Sequence, residues 1–375
     1  MLSFTFVARA HEVPLQSSSS SEPLEYLGAS RTPHQRSYFF VGGHYTRRGN
    51  GHVISGQMYV EHLIPLTVTR PTPLLFIHGQ GMTGTNFLNT PDGSPGWADY
   101  FLNQGYEVYL VDQPCRARSP WQAGVDGNQT VFNTEYIESH FTATKRYNLW
   151  PQARQHTQWL GNGSVGDPVF DAFYASTAPS LTDQQEVSEK VQAAGSALLD
   201  KIGPVILITH SQSGQFGWLL ADARPSLVKA IVALEPIGPP FHDAVFSTKF
   251  MRPFGITIIP ITFSPPVTSL SDLNPVAVES GVNYTCYQQG VSPARQLVNL
   301  LDIPVLVVTG EASYHTIYDA CTVQFLREAG VQVKFVPLET VGFEGNGHIF
   351  FMEKNGRRIA EEVVENWLIE RFDPS

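Results

Sequence analysis

Pro204-Val205-Ile206-Leu207-Ile208-Thr209-His210-Ser211-Gln212-Ser213-Gly214-Gln215 is the stretch on which the reading of this chain turns. An apolar β-strand ends in a serine held between small residues, and a helix-compatible segment follows. Such a strained strand-to-helix turn lifts one hydroxyl clear of a sheet edge, as the nucleophile elbow of serine hydrolases does. A strict G-x-S-x-G would carry Gly where Thr209 and Ser213 stand. Two registers fit. With Ser211 as nucleophile the flanks are Thr209 and Ser213, with Gly214 next, all small enough for a crowded turn. With Ser213 they are Ser211 and Gln215, and Gln215 is too bulky, so Ser211 is the expected nucleophile. Alone, the run also fits a Ser-rich loop after any buried strand, so its surroundings must decide.

Outward from this turn the chain alternates strand and helix. Buried parallel-type strands are expected at Leu74 to Ile77, Glu107 to Val111, Val205 to Ile208, Ala230 to Leu234, Pro304 to Val308 and Val331 to Val336. Earlier strands are expected at Phe39 to Tyr45 and Gly56 to Ile64. Helices are expected at Trp97 to Gln104, Asp183 to Ile202, Gln215 to Ala223, Ile317 to Ala329 and Asn355 to Arg371. That rhythm implies an α/β fold, a mostly parallel central sheet covered by helices on both faces. Residues 1–37, with the serine run Ser17 to Ser21, read as a flexible arm before a domain at 38–375. Two stretches break the rhythm: an aromatic-rich insertion at about 119–180 and a Pro-rich excursion at about 236–300. Loops this long inside a domain usually serve as lids or binding surfaces. Trp150 and Trp159 in the insertion are the expected substrate-binding aromatics, although most aromatics there simply pack the insertion onto the sheet.

A serine nucleophile needs a base, an acid to orient the base, and donors for the tetrahedral oxyanion. In folds with this elbow, nucleophile, acid and histidine follow in that chain order, each at the carboxyl end of a strand. Val341-Gly342-Phe343-Glu344-Gly345-Asn346-Gly347-His348 lies between the last expected strand and the last helix, which makes His348 the expected base. Its glycines are expected to leave the loop free to swing the imidazole over the sheet edge. His315 is the rival base, and His210, inside the elbow, reads as structural. The segment Val308 to His315 has no Asp in reach of the usual acid position. Glu235 instead ends the strand after the nucleophile strand, and emerges beside Ser211 on the same edge. A charged residue ending an apolar strand is often only a solvated cap, so this assignment leans on the other two members. Phe76-Ile77-His78-Gly79-Gln80-Gly81 ends the strand expected to carry the oxyanion loop. Backbone N–H groups of Gln80 and Gln212 are the expected donors, with Gly81 the alternative to Gln80.

The chain resembles the α/β-hydrolase superfamily, and within it the 713-type esterases and their fungal relatives. The matching residues are His78-Gly79, Thr90-Pro91-Asp92-Gly93 with Gly96-Trp97 and Tyr100-Phe101-Leu102, Asp112-Gln113 with Arg116 and Arg118-Ser119, His210 to Gly214, Glu235-Pro236, and Gly345 to His348 with Asn355. The resemblance implies a Ser-Glu-His triad with Glu after the sixth strand, which carries the acid role onto Glu235. Two departures stand out. The bacterial type has adjacent cysteines where Gln80-Gly81 stand, so a redox-linked oxyanion loop is not expected, and it has Gly where Cys115 stands.

Composition sets the outer limits. A 375-residue chain that is 42% hydrophobic can bury a sizeable core, and a formal charge of −10 argues against a nucleic acid partner. No stretch approaches the roughly 18 apolar residues of a membrane span. A soluble protein acting on a small-molecule ester or lactone, with no metal or organic cofactor, is the expectation. The short apolar run Met1 to Ala10 faintly resembles a signal peptide but lacks a basic start, and sequons stand at Asn128, Asn162 and Asn283. Cytoplasmic and secreted locations therefore both stay open, as does the oligomeric state. Three cysteines indicate neither a metal set nor a disulfide framework, although Cys286 and Cys321 could pair in an exported chain. Gly79-Gln80-Gly81-Met82-Thr83-Gly84 also satisfies G-x-G-x-x-G, with Asp112 as a ribose-binding acid. A dinucleotide oxidoreductase would leave the Ser-Glu-His set unexplained. A non-hydrolytic relative, acting as a binder or as a cyclase in a natural-product pathway, is the other alternative.

Overall fold

The computed structural model describes residues 31–279 and 284–373. Eight strands form one sheet: β1 (His34–Arg48), β2 (Gly51–Pro65), β3 (Leu74–Ile77), β4 (Val108–Asp112), β5 (Val205–His210), β6 (Val228–Leu234), β7 (Val305–Thr309) and β8 (Val333–Pro337). Their spatial order is β1-β2-β4-β3-β5-β6-β7-β8. β2 runs antiparallel to β1 and β4, and the pairs from β4 across to β8 are parallel.

The parallel strands are apolar along their whole length because both faces are covered. Leu75 and Ile77 of β3 point into one core, with α2 (Gln184–Ile202), α3 (Gly214–Ala223) and α4 (Asp319–Glu328). Leu74 and Phe76 point into the other, with α1 (Trp97–Asn103) and the helical stretch over residues 356–372. α2 illustrates how local sequence sets an element. The Asp183 carboxylate accepts the N–H groups of Gln185 (2.9 Å) and Glu186 (3.4 Å), so the helix starts there. Val187, Val191, Ala194 and Leu198 form its buried stripe, and Gly203 ends it with φ at +85°.

β1 differs from expectation. It begins at His34, inside the stretch read as an arm, and pairs residue by residue with β2 from His34↔Pro65 to Arg48↔Gly51. As an edge strand it is largely exposed, so it lacks the apolar alternation that marks a half-buried strand. The rest of that arm, residues 1–30, and with it the signal-like run, lies outside the described residues, as does the sequon at Asn283. The insertion carries short helices at Thr134–Ile137, Pro151–Gln155 and Pro168–Ala175, and the excursion carries a hairpin of Val276–Glu279 with Thr285–Gln288. A Cys286–Cys321 disulfide, 5.7 Å between Cα atoms, ties that hairpin to α4. No helix among the described residues is long and apolar enough to cross a membrane.

Candidate active site

Ser211 follows β5 with φ at +54°, in the left-handed region that costs a non-glycine residue on the order of 1–3 kcal/mol. Close packing holds it there. A Cβ on Gly79 would lie 2.8 Å from His210 Nδ1, and one on Gly214 would lie 2.4 Å from Pro236 Cβ. Ser213, the other register, is fully buried; its hydroxyl donates to the Ile77 carbonyl (2.6 Å) and accepts the His210 N–H (2.8 Å). It is part of the turn's scaffold and does not line the pocket.

Glu235 ends β6, also with positive φ (+48°), and is fully buried. Its Oε2 is hydrogen-bonded to His348 Nδ1 and accepts the Ser313 hydroxyl (2.6 Å), while Oε1 accepts the Gly310 N–H (2.7 Å). The loop after β7, where an Asp is usual in this fold, thus supplies two donors to a carboxylate reaching across from the neighbouring strand. The other nearby acids are committed elsewhere. Glu311 accepts from Gln155 and the Gly345 N–H, and Asp319 accepts from Thr309 and His315.

His348 is held more tightly than its glycines suggest. The buried Glu353 carboxylate accepts the Gly347 N–H (3.1 Å) and the Asn346 amide (2.8 Å), and Asn346 and Asn355 exchange side-chain bonds. His210, as expected, is structural, with Nε2 donating to the His348 carbonyl at 2.9 Å. Burial, and then the neighbouring rings of His315 and His210, hold the His348 imidazole well below its ordinary pKa, which keeps it unprotonated and able to accept a proton. Burial, then Asp319, raises Glu235 well above the usual carboxylate range, against the pull of Ser313 and Gly310.

Two further buried imidazoles give a stability prediction. Burial pushes His78 and His210 down to about 3 from 6.5. Unfolding restores the ordinary value, so between pH 6.5 and about 3 the unfolded chain binds more protons than the folded one. Stability from these rings is intact above pH 6.5. It is lost as pH falls through that window, at up to about 1.4 kcal/mol per pH unit for each ring. The raised Glu235 works in the opposite direction and reduces the net slope. Urea midpoints at pH 7 and pH 5 should show a clear fall, and equal midpoints would contradict the burial of these two rings as neutral species.

The oxyanion loop after β3 is braced from below. His78 Nδ1 donates to the Gly79 carbonyl (2.9 Å) and Nε2 accepts the Gln113 N–H (3.1 Å). Buried Arg116 donates to the Gly79 carbonyl (2.8 Å) and to Gln212 Oε1 (3.3 Å), joining the two loops expected to bind the oxyanion. The Gly81 N–H donates to the Ser180 hydroxyl at 3.1 Å, so of the two expected donors on this loop Gly81 is already engaged. Gln212 stands in the first turn of its helix, where N–H groups lack helical acceptors. Cys115 adopts φ of +63°, in the left-handed region that glycine enters most readily.

The pocket over Ser211 encloses about 480 Å3 including its solvent-facing mouth. The insertion supplies Phe132, Tyr136, Ile137, Phe141, Phe173 and Thr177 to its wall, and the other side holds Gln80, Tyr314 and His348. Tyr314 and Ser211 face the same cavity. Trp150 and Trp159 do not line it. Trp150 donates to the Ala312 carbonyl (3.0 Å) and packs edge-on against Tyr314, and Trp159 packs edge-on against Phe173. Each indole is buried one layer behind the wall, supporting a ring that does face the pocket.

Glu235, His315 and His348 bring potential cation ligands within 4.8 Å of one another. Both His315 nitrogens are engaged, by Asp319 (3.0 Å) and the Tyr318 hydroxyl (2.9 Å), so a cation would have to displace those bonds. The G-x-G-x-x-G run is followed by the single turn Gly84–Phe87 instead of a long helix. Asp112 is fully buried, bonded to Gly84 and Arg118, and therefore cannot meet a ribose. Ser313, Gly310, Arg116 and Glu353 are site residues whose roles sequence reasoning missed. Only Arg116 left a signal there, as part of the Asp112-Gln113…Arg116 motif.

This sheet order, with an elbow serine after β5 and a histidine after β8, is the arrangement of the alpha/beta hydrolases, and the chain belongs to that family: the alpha/beta hydrolase family model matches residues 74–362. A protein described as the probable secreted lipase phiG, from Fungal sp. (strain ATCC 74256), is 48% identical over 356 residues, 94% of this chain and 93% of that protein. The solved structure of a novel bacterial esterase has the same fold, with a TM-score of 0.61 and 22% identity over 92% of this chain and 98% of that one.

Proposed function

We propose that this lipase/esterase-type hydrolase cleaves a carboxylic ester or lactone through Ser211, His348 and Glu235. Ser211 Oγ attacks the carbonyl carbon as its proton passes to His348 Nε2, and the N–H groups of Gln80 and Gln212 hold the oxyanion. The C–O bond to the leaving alcohol breaks, His348 returns the proton to that oxygen, and Ser211 is left acylated. Water then repeats the sequence, with His348 taking its proton, and releases the acid. The observation that carries this reading is the Glu235 carboxylate bonded to His348 Nδ1 beside a serine in left-handed backbone.

The pocket lining favours an uncharged acyl group or ring, since no Lys, Arg, Asp or Glu contributes to it among the described residues. Export is supported by the name of the fungal relative and by the Cys286–Cys321 bridge, which suits an oxidising compartment. A fluorophosphonate should label the protein once, on the peptide carrying Ser211. A label on Ser213, or full ester turnover with no labelling, would overturn the assignment.

A further inference from the structure

We infer that His315 is a positioning residue for the base: clamped between Asp319 and Tyr318, its ring stacks on His348 and fixes the plane from which His348 receives the Ser211 proton. The inference rests on the triad reading above. His348 is tethered through one ring atom, Nδ1, to Glu235, and a single hydrogen bond leaves the imidazole free to rock about it. Proton transfer needs Nε2 aimed at the serine oxygen, and small misplacements of a reacting group are costly.

Stacking removes that freedom. The His315 ring lies 4.6 Å from that of His348 at an interplanar angle of 11°, and Phe141 of the insertion lies 5.4 Å away at 25°. Phe141 rides on the insertion, whereas His315 is anchored to the sheet. Its Nδ1 bonds Asp319 Oδ1 (3.0 Å), and Asp319 Oδ2 in turn accepts the hydroxyl of Thr309 on β7 (2.6 Å). Its Nε2 meets the Tyr318 hydroxyl at 2.9 Å. His315, Tyr318 and Asp319 are all buried, and none lines the pocket. A histidine with both nitrogens engaged and no route to Ser211 is not a second base; it is a rigid face against which the base is held. The other groups around His348 are Glu235 at the end of β6, Tyr314 after β7, His210 on β5 and His140 on the insertion.

The test uses the full chain and a p-nitrophenyl butyrate assay. His315→Ala should lower kcat about 10–100-fold, with KM within about threefold of wild type, because the pocket wall is untouched. It should also move the acid limb of the kcat/KM profile upward, as water replaces the ring and His348 drifts toward the ordinary imidazole value. Tyr318→Phe, which removes one hydroxyl and keeps the packing, should act in the same direction by about 3–10-fold. Unchanged kcat and an unchanged acid limb in a folded His315→Ala would overturn the inference. If that variant does not fold, the same null result in Tyr318→Phe overturns it. An inactive Ser211→Ala beside wild-type His315 and Tyr318 variants would sink this inference alone, whereas an active Ser211→Ala would sink the triad beneath it.

Discussion

Ser211→Ala should lower kcat on p-nitrophenyl butyrate by about 10⁶-fold, the loss seen when the serine of a comparable triad is removed. Ser213 cannot take over, because its hydroxyl is spent on the Ile77 carbonyl and the His210 N–H. What remains should be the contribution of substrate binding and oxyanion donors alone. Stability should change little, since Ala keeps the same left-handed backbone that Ser211 already adopts and a single hydroxyl is removed. A urea midpoint close to wild type is therefore part of the expected result. Retention of more than about one part in a hundred of the activity would move the nucleophile elsewhere.

Glu235→Gln should cost on the order of 10⁴ in turnover, as the equivalent amide substitution does in a serine protease. The carboxylate accepts from Gly310, Ser313 and His348 at once. An amide offers one accepting oxygen and one NH2, so at least one former acceptor position would present a donor to a donor. If the NH2 faces His348, the imidazole is driven to the wrong tautomer. Glu235→Asp keeps the charge but is one methylene short, and should retain more activity than the amide. Glu311→Gln should cost far less, and Asp319→Asn no more than His315→Ala, because neither carboxylate touches His348 and Asp319 acts only through His315. Near-normal turnover in Glu235→Gln, with a loss on the order of 10⁴ in either of the others, would restore the usual acid position.

Much of this is legible in the amino-acid sequence. Periodicity located the buried strands because both faces of β3, β5 and β7 are apolar, and the chemistry-bearing turns stand where those strands end. The extent of β1 was hidden because an exposed edge strand need not alternate. The tryptophans were misplaced for a different reason: aromatic content reports how much volume an insertion buries, not which rings face inward, and Trp150 and Trp159 each support a pocket ring from behind. Ser313 and Gly310 left no signal at all. A serine and a glycine after a strand have too many ordinary uses, and their meaning depends on a carboxylate 78 and 75 residues away in sequence. The disulfide was open from sequence for the same reason, since two cysteines 35 residues apart reveal nothing of the 5.7 Å that separates their Cα atoms.

The anchoring of Glu235 also constrains how chains of this kind can diverge. To move the acid to the loop after β7, a carboxylate would have to replace the inward-pointing Ser313 hydroxyl. Gained first, it would crowd two carboxylates around one imidazole, where Asp319 already opposes charge on Glu235. Lost first, Glu235 would leave an enzyme with an unoriented base. Either order of substitution would therefore pass through a poorly active intermediate.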